Sequence, residues 1–283
     1  MTNDYVIRNM SRSDLDIAVD WAAAEGWNPG LNDAECFFRS DSRGFFIGEV
    51  AGIPIGSISA VSYDKHFGFI GFYIVKPECR SRGYGIQLWN RAMEYLRDRV
   101  VGLDGVVAQQ ENYQKSGFTT AYRNIRFEGI AGSKQGKPIQ EIVELSKIPM
   151  ADILSYEKRL FPASRPEFIK GWINPGDGAA LGYIKGNRLL GYGVIRACRH
   201  GYKIGPLFAD DDELAGAIFK ELVGRIKPGT PFFFDVPELN TAAVALASQY
   251  GMQVVFETAR MYRGQPPQLD LKRIYGVSSF ELG

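Results

Sequence analysis

Two spacings of apolar residues alternate along the chain. Tyr5 to Met10 reads as a strand, followed by a helix opened by Ser11 or Ser13. The breaker Trp27-Asn28-Pro29-Gly30 precedes a second helix. Phe45 to Val50, an Ala51-Gly52 turn and Ile53 to Ser62 predict a hairpin, with a third strand over Phe67 to Val75. Ile86, Trp89, Met93, Leu96 and Val100 then recur at helical spacing, with Arg91, Glu94, Arg97 and Asp98 between them. That pattern predicts an amphipathic helix lying on a sheet. Val106-Val107 suggests a short strand, Glu111 to Ser116 a short helix closed by Gly117, and Thr119 to Phe127 a last strand.

The same pattern occurs twice. Shifted by 134 positions, Gly52 meets Gly186, Ile70-Gly71 meets Ile204-Gly205, Leu88 meets Leu222, Gly117 meets Gly251 and Arg126 meets Arg260. The shared order of turn, strand, helix and final strand predicts two copies of one α/β unit, residues 1–131 and 139–283. The stretch between them, Gly132 to Pro138, has the composition of a linker. The copies differ after the third strand. Arg80 falls on Leu214, Gly83 on Ala217, Gly85 on Phe219 and Tyr113 on Ala247, and Asp210, Asp211, Asp212 and Glu213 replace the loop. Those charges repel a phosphate, and a phenylalanine bars close backbone approach, so ligand binding is expected in the first copy alone.

Charge and composition narrow the function. Among 283 residues, 33 Lys and Arg face 32 Asp and Glu, so no global field draws the protein to nucleic acid or an anionic membrane. Any anion site is therefore local. The polar start, MTNDYVIRNMSRSDLD, and the lack of any run near 18 apolar residues predict neither a signal peptide nor a membrane span, with the cytoplasm as the expected location. Cys36, Cys79 and Cys198 are odd in number and widely spaced, and His66 and His200 lack ligand spacing to them, so neither a disulfide nor a metal site is expected.

The local anion site is legible at residues 75–86. A strand ends in Val75, two arginines and two glycines follow within Arg80-Ser81-Arg82-Gly83-Tyr84-Gly85, and a helix starts at once. Such a turn leaves first-turn amides pointing outward with the positive end of the helix dipole, an anion cradle. It lacks both GxxxxGK[ST] and GxGxxG, which excludes the familiar nucleotide-hydrolase and dehydrogenase loops. The segment Val75-x-Pro77-x-x-Arg80-x-x-Gly83-x-Gly85 resembles the acyl-CoA loop of the GNAT superfamily of N-acetyltransferases. About 30 residues on, Tyr113-Gln114-Lys115-Ser116-Gly117-Phe118 is similar to that superfamily's Tyr-x-Lys-x-Gly-Phe segment.

The resemblance covers roughly residues 3–130 directly and the second half as a degenerate copy. It implies an α/β (α+β) architecture of two tandem domains, each a mixed, mostly antiparallel twisted sheet flanked by helices. It also implies acetyl-CoA as cosubstrate, with its pyrophosphate on the amides of Arg80, Ser81, Arg82, Gly83, Tyr84, Gly85 and Ile86. The backbone of Tyr73, Ile74 and Val75 would take the acetyl carbonyl and the pantetheine arm. Tyr113 would protonate the departing thiolate, with Asn112 among the cofactor contacts. Val106 stands where the family often carries an asparagine, and Phe67 to Val75 lacks the glutamate that serves some members as general base. Asp64, His66 and Glu111 are the nearest candidates for the base, each read as a solvated turn or surface residue, with water as the alternative base. For the acceptor, Trp27 and Asn28 are the candidates, with Cys36 and Phe37 beside them. Phe232-Phe233-Phe234-Asp235 reads as a buried strand, and Asp235 or Glu238 would reach the acceptor if the two clefts faced each other. The expected activity is direct acetyl transfer to the amine of a small molecule by a monomer or homodimer, without metal. The alternatives are a CoA-binding sensor without turnover, another acyl donor, and a hydroxyl acceptor.

Overall fold

Ser11 stands where the sequence predicts a helix start. Its hydroxyl accepts the amide of Asp14, and the Asp14 carboxylate accepts the amide of Ser11. This capping box opens α1 (Arg12–Ala24), whose Leu15, Ala18, Val19 and Ala22 are buried. The computed structural model describes residues 5–133 and 139–283. Most of the linker-like stretch, Lys134 to Pro138, lies outside the described residues, as do positions 1–4.

The first half comprises β1 (Tyr5–Asn9), α1, α2 (Asp33–Ser40), β2 (Phe45–Val50), β3 (Ile53–Ser62), β4 (Phe67–Val75), α3 (Tyr84–Tyr95), β5 (Val100–Val106), α4 (Gln110–Lys115) and β6 (Thr119–Ile130). The second comprises β7 (Ile142–Glu144), α5 (Met150–Glu157), α6 (Pro166–Trp172), β8 (Gly178–Lys185), β9 (Arg188–Ala197) and β10 (Tyr202–Ala209). It continues with α7 (Asp212–Val223), β11 (Pro231–Pro237), α8 (Thr241–Gln249), β12 (Gln253–Arg263) and β13 (Ile274–Gly276). One expected boundary moves. Val100, placed on the helix by its spacing, begins β5, because Asp98 takes a left-handed φ of 68° and turns the chain after α3. The strand expected at Val106-Val107 is only the end of β5.

The fold is α/β, and its mostly antiparallel strands form one continuous thirteen-stranded sheet rather than two separate ones. The order is β1-β2-β3-β4-β5-β12-β6-β11-β10-β9-β8-β7, with β13 beside β10. Each half gives one long strand to the other: β12 pairs with β5, and β6 pairs with β11. The exchanged strands also pair with each other, so β12 and β6 form the seam.

Two buried ion pairs fix that seam. Arg126 of β6 lies opposite Asp235 of β11, and Arg260 of β12 lies opposite Asp104 of β5. Both are bidentate. Arg126 Nε and a terminal nitrogen each donate over 2.7 Å, and Arg260 donates over 2.9 and 2.7 Å. All four side chains are at most 5% exposed. Helix α3 packs over the first half's sheet through Leu88, Trp89 and Ala92, while α7 and α8 cover the second through Ile218, Phe219, Leu222 and Leu246. A further core joins both halves through Phe37, Phe72, Trp172, Tyr192 and Phe208. Among the described residues no helix is long and apolar enough to cross a membrane.

Removing one partner of a buried pair strands the other charge. Arg260→Met leaves Asp104 with only the Asn124 amide, and urea unfolding is expected to show a loss of about 3–5 kcal/mol. Adding Asp104→Leu should recover most of it, because no unpaired charge then remains.

Candidate active site

The site begins as a fault in strand pairing. β4 and β5 run parallel from Phe67 opposite Val100 to Ile70 opposite Leu103, and there their pairing ends. Immediately beyond, Ser59 of β3 faces Gly71 and Ser57 faces Ile74, so Phe72 and Tyr73 form a bulge. Phe72 carries a φ of 47°, and the buried Ser57 hydroxyl donates to its carbonyl at 2.8 Å. The bulge turns the free edge of β4 away from β5. A cavity of about 670 Å³ occupies the wedge between them.

The loop after β4 closes one end of the wedge. Ser81 and Gly83 take φ values of 61° and 81°, and α3 starts at Tyr84 with Gly83 as its N-cap. A glycine cap brings no side chain to the first-turn amides, which remain for an incoming anion. Gly85 is needed for another reason, since an added Cβ would lie 2.8 Å from the Tyr73 hydroxyl. The Arg80 side chain folds back: its Nε donates to the Val75 carbonyl at 2.8 Å, and its guanidinium pairs with Glu25 at the end of α1. That pairing takes it off the expected phosphate position, and it serves as a strut between loop and helix. Arg82 is exposed and forms no ion pair among the described residues, but it stands outside the cavity wall. Tyr84 is buried behind the loop, its ring 4.7 Å from that of Tyr5.

Tyr73, Ile74 and Val75 line the cavity on one side, and Asn112 and Tyr113 on the other, with Ser81, Gly83, Gly85 and Ile86 at the loop end. The Tyr113 ring packs 5.5 Å from Trp89 and over Gly105, where an added Cβ would lie 2.8 Å from it. Burial, and then the neighbouring Tyr73, push the Tyr113 phenol well above its ordinary value. It stays protonated and can donate a hydrogen bond.

The counterpart wedge in the second half is filled by the chain itself. β10 and β11 pair in parallel only from Tyr202 to Ile204, and β13 then adds to β10 at Leu207 and Phe208. Those two residues are the repeat counterparts of Tyr73 and Ile74. The N-terminus of α7 is capped by its own Asp211, whose carboxylate accepts the amide of Leu214 at 2.9 Å. Phe219, at the position of Gly85, is fully buried against Phe232, Phe234 and Tyr250.

The wall opposite the loop comes from the second half. Phe256 and Thr258 of β12 line it, with Phe280 and Glu281 of the segment after β13. That segment runs along the repeat's glycines: an added Cβ on Gly205 would meet the carbonyls of Val277 and Ser278, and one on Gly71 the carbonyl of Glu281. Trp27 also lines the cavity, its carbonyl accepting from Arg126 at 2.7 Å.

Several sequence candidates have other partners. Asn28 faces away from the cavity, because its amide group donates to the His200 carbonyl and accepts the His200 amide, both at 2.9 Å. Cys36 and Phe37 belong to the core, against Gly171 and Trp172 of α6. Asp235 is held by Arg126 and Glu238 by Arg123, so neither is free to reach an acceptor. Asp64 accepts the amides of His66 and Phe67 in a turn, and neither it, His66 nor Glu111 lines the cavity. Glu281, Thr258, Phe256 and Phe280 were not foreseen. Nothing in their local sequence marks them, since they reach the site through strand exchange and a segment with no repeat counterpart.

Comparison with known proteins places both halves in one family. Residues 10–118 match the model of the acetyltransferase (GNAT) family, and residues 153–276 match that of an acetyltransferase (GNAT) domain. Holothin acyltransferase of Pseudoalteromonas sp. (strain SANK 73390) is 32% identical over 275 residues, covering 96% of this chain and 92% of the relative. A crystal structure of a putative acetyltransferase from Pyrococcus horikoshii superposes with a TM-score of 0.83 at 22% identity, covering 99% of this chain and 96% of the other. A tandem GNAT protein from the clavulanic acid biosynthesis pathway gives 0.62 at 11% identity, over 93% and 100%. With GNAT matches in both halves and a relative 32% identical over nearly the whole chain, the chain belongs to the GNAT acetyltransferase family and is an acyltransferase with two GNAT domains.

Proposed function

We propose that the protein transfers the acetyl group of acetyl-CoA directly to an amine of a small-molecule acceptor, using the first-half cavity alone. The observation that carries this reading is the asymmetry of the two wedges: one is open beside an uncapped helix N-terminus, and the other is filled by β13 and capped by Asp211. The donor's diphosphate would sit on the amides at the start of α3, and its thioester along the free edge of β4 between Tyr73 and Val75. Backbone amides there would stabilise the oxyanion as charge moves onto the carbonyl. Tyr113, held protonated, would donate to the sulfur as it leaves.

The acceptor side supports a compact substrate with an apolar body. Trp27, Phe256 and Phe280 supply aromatic surface, and the second half closes that end of the cavity. The relative named holothin acyltransferase supports a discrete acceptor molecule in place of a protein lysine.

Calorimetry is expected to show one acetyl-CoA per chain. Gly83→Val would force a β-branched residue into a left-handed φ, at about 1–2 kcal/mol, and should weaken binding roughly tenfold or more. Phe219→Gly should add no second site, because β13 still occupies that wedge. Two independent sites in the wild-type chain would contradict the reading.

Tyr113→Phe should leave acetyl-CoA affinity intact and lower kcat by about 10²-fold. Since burial raises the phenol, its proton is retained as pH rises, and the wild-type rate should show no loss from Tyr113 ionisation up to about pH 10. A basic limb that disappears in Tyr113→Phe below that pH would contradict this.

A further inference from the structure

Three carboxylates line the cavity, and two of them are bound. Glu25 pairs with Arg80, and Asp104 gives both oxygens to Arg260. Glu281 is 2% exposed, and neither of its oxygens has a hydrogen-bond partner among the described residues. Leaving a buried carboxylate unbonded opposes folding, so a group held this way is poised for a ligand. Thr258 Oγ1, on the same wall, is likewise buried and unpartnered.

The placement of Glu281 is rigid. Its carbonyl packs so closely on β4 that a Cβ on Gly71 would lie 2.0 Å away. Gly71 precedes Tyr73 by two residues, so the Glu281 backbone stands beside the expected thioester position and the residue forms part of the wedge wall. On one side of Glu281, the Phe280 ring lies 4.8 Å beneath the Arg126 guanidinium. On the other, the Leu282 carbonyl accepts from the Tyr63 hydroxyl at 2.7 Å, and its amide donates to Ser279 Oγ at 3.0 Å. Further back, Arg165 donates to Ser278 Oγ at 2.8 Å.

The surrounding charges come from four strands and a helix. Arg126 of β6, Arg196 of β9 and Lys203 of β10 act on Glu281 electrostatically. Asp235 of β11 and Asp33 of α2 are bonded to Arg126 and Arg196 respectively. With Glu281 the cluster brings together three basic side chains and three carboxyl groups.

We propose that Glu281 is the catalytic base of the acyl transfer, taking a proton from the ammonium form of the acceptor before the amine attacks. The inference rests on reading the cavity as the site for acetyl-CoA and an amine. The proton moves from the acceptor nitrogen to a Glu281 oxygen, and the freed lone pair attacks the thioester carbonyl carbon. The C–N bond forms and the C–S bond breaks. The nitrogen loses a second proton, which reaches the departing sulfur by way of Tyr113, so the products are an amide and the free thiol. Glu281 then releases its proton to solvent. A base delivered from the second half accounts for the lack of an acidic residue in β4.

The test compares wild type, Glu281→Gln and Glu281→Asp on benzylamine, an ammonium ion at neutral pH, and aniline, already neutral there. Thiol release is followed, with acetyl-CoA binding measured by calorimetry on each variant. In Glu281→Gln, kcat on benzylamine should fall about 10²-fold or more at pH 7, and on aniline by no more than about threefold. The benzylamine defect should shrink as pH rises and the amine arrives neutral, and Glu281→Asp should be intermediate. A loss equal for both amines at every pH, or no loss, would overturn the role of Glu281 and leave the donor site standing. Wild-type chain that takes up no acetyl-CoA, or turns over neither amine, would overturn the underlying reading and this inference together.

Discussion

Arg126 and Arg260 are each almost wholly withdrawn from water to meet a carboxylate on a strand contributed by the other half of the chain. Burying four charges is unfavourable unless each pair is matched in position, and a slip of one residue would turn every side chain of the strand to the opposite face. The pairs therefore act on specificity more than on net stability. They admit one register for β12 against β5 and one for β6 against β11. That register puts Phe256 and Thr258 at the wedge, and through Arg126 it holds the Trp27 carbonyl and the Phe280 ring at the cavity wall.

Strand exchange also explains how two similar halves come to do different things. The segment after β12 is single, so it cannot treat the two wedges alike. It adds β13 to β10, occupying one wedge, and continues past Gly205 to Gly71, where it enters the other. The paired glycines at equivalent repeat positions let one backbone run close to both strands. Asn240 secures the path, its amide donating to the carbonyls of Leu271, Lys272 and Ile274. One piece of chain thus fills the second site and completes the first.

The loop at the open wedge divides its residues between those that brace it and those that leave the helix start uncapped. Arg80 braces the loop against α1, Tyr84 anchors it beneath, and Gly83 supplies the left-handed turn that frees the α3 amides. Local charge at such a loop does not by itself predict which arginine stays free. A neighbouring Glu25, distant in sequence, decides that Arg80 is a strut.

Periodicity and turn chemistry in the sequence determined what depends on neighbours a few residues apart. Most first-half strands and helices, a helix start at Ser11 or Ser13 and the glycine loop follow from such spacings, and the departures, at Val100 and at Val106-Val107, lie at the two ends of β5, the first where Asp98 reverses the chain. Tertiary structure alone decided what depends on meetings between distant residues. The exchange of β6 and β12, the turning of Asn28 toward His200, the capture of Asp235 by Arg126 and the arrival of Glu281 beside Gly71 join positions about 100 or more residues apart. A side chain carries no mark of such a partner, because burial and charge pairing are properties of the assembled surfaces and not of the residues beside it in sequence.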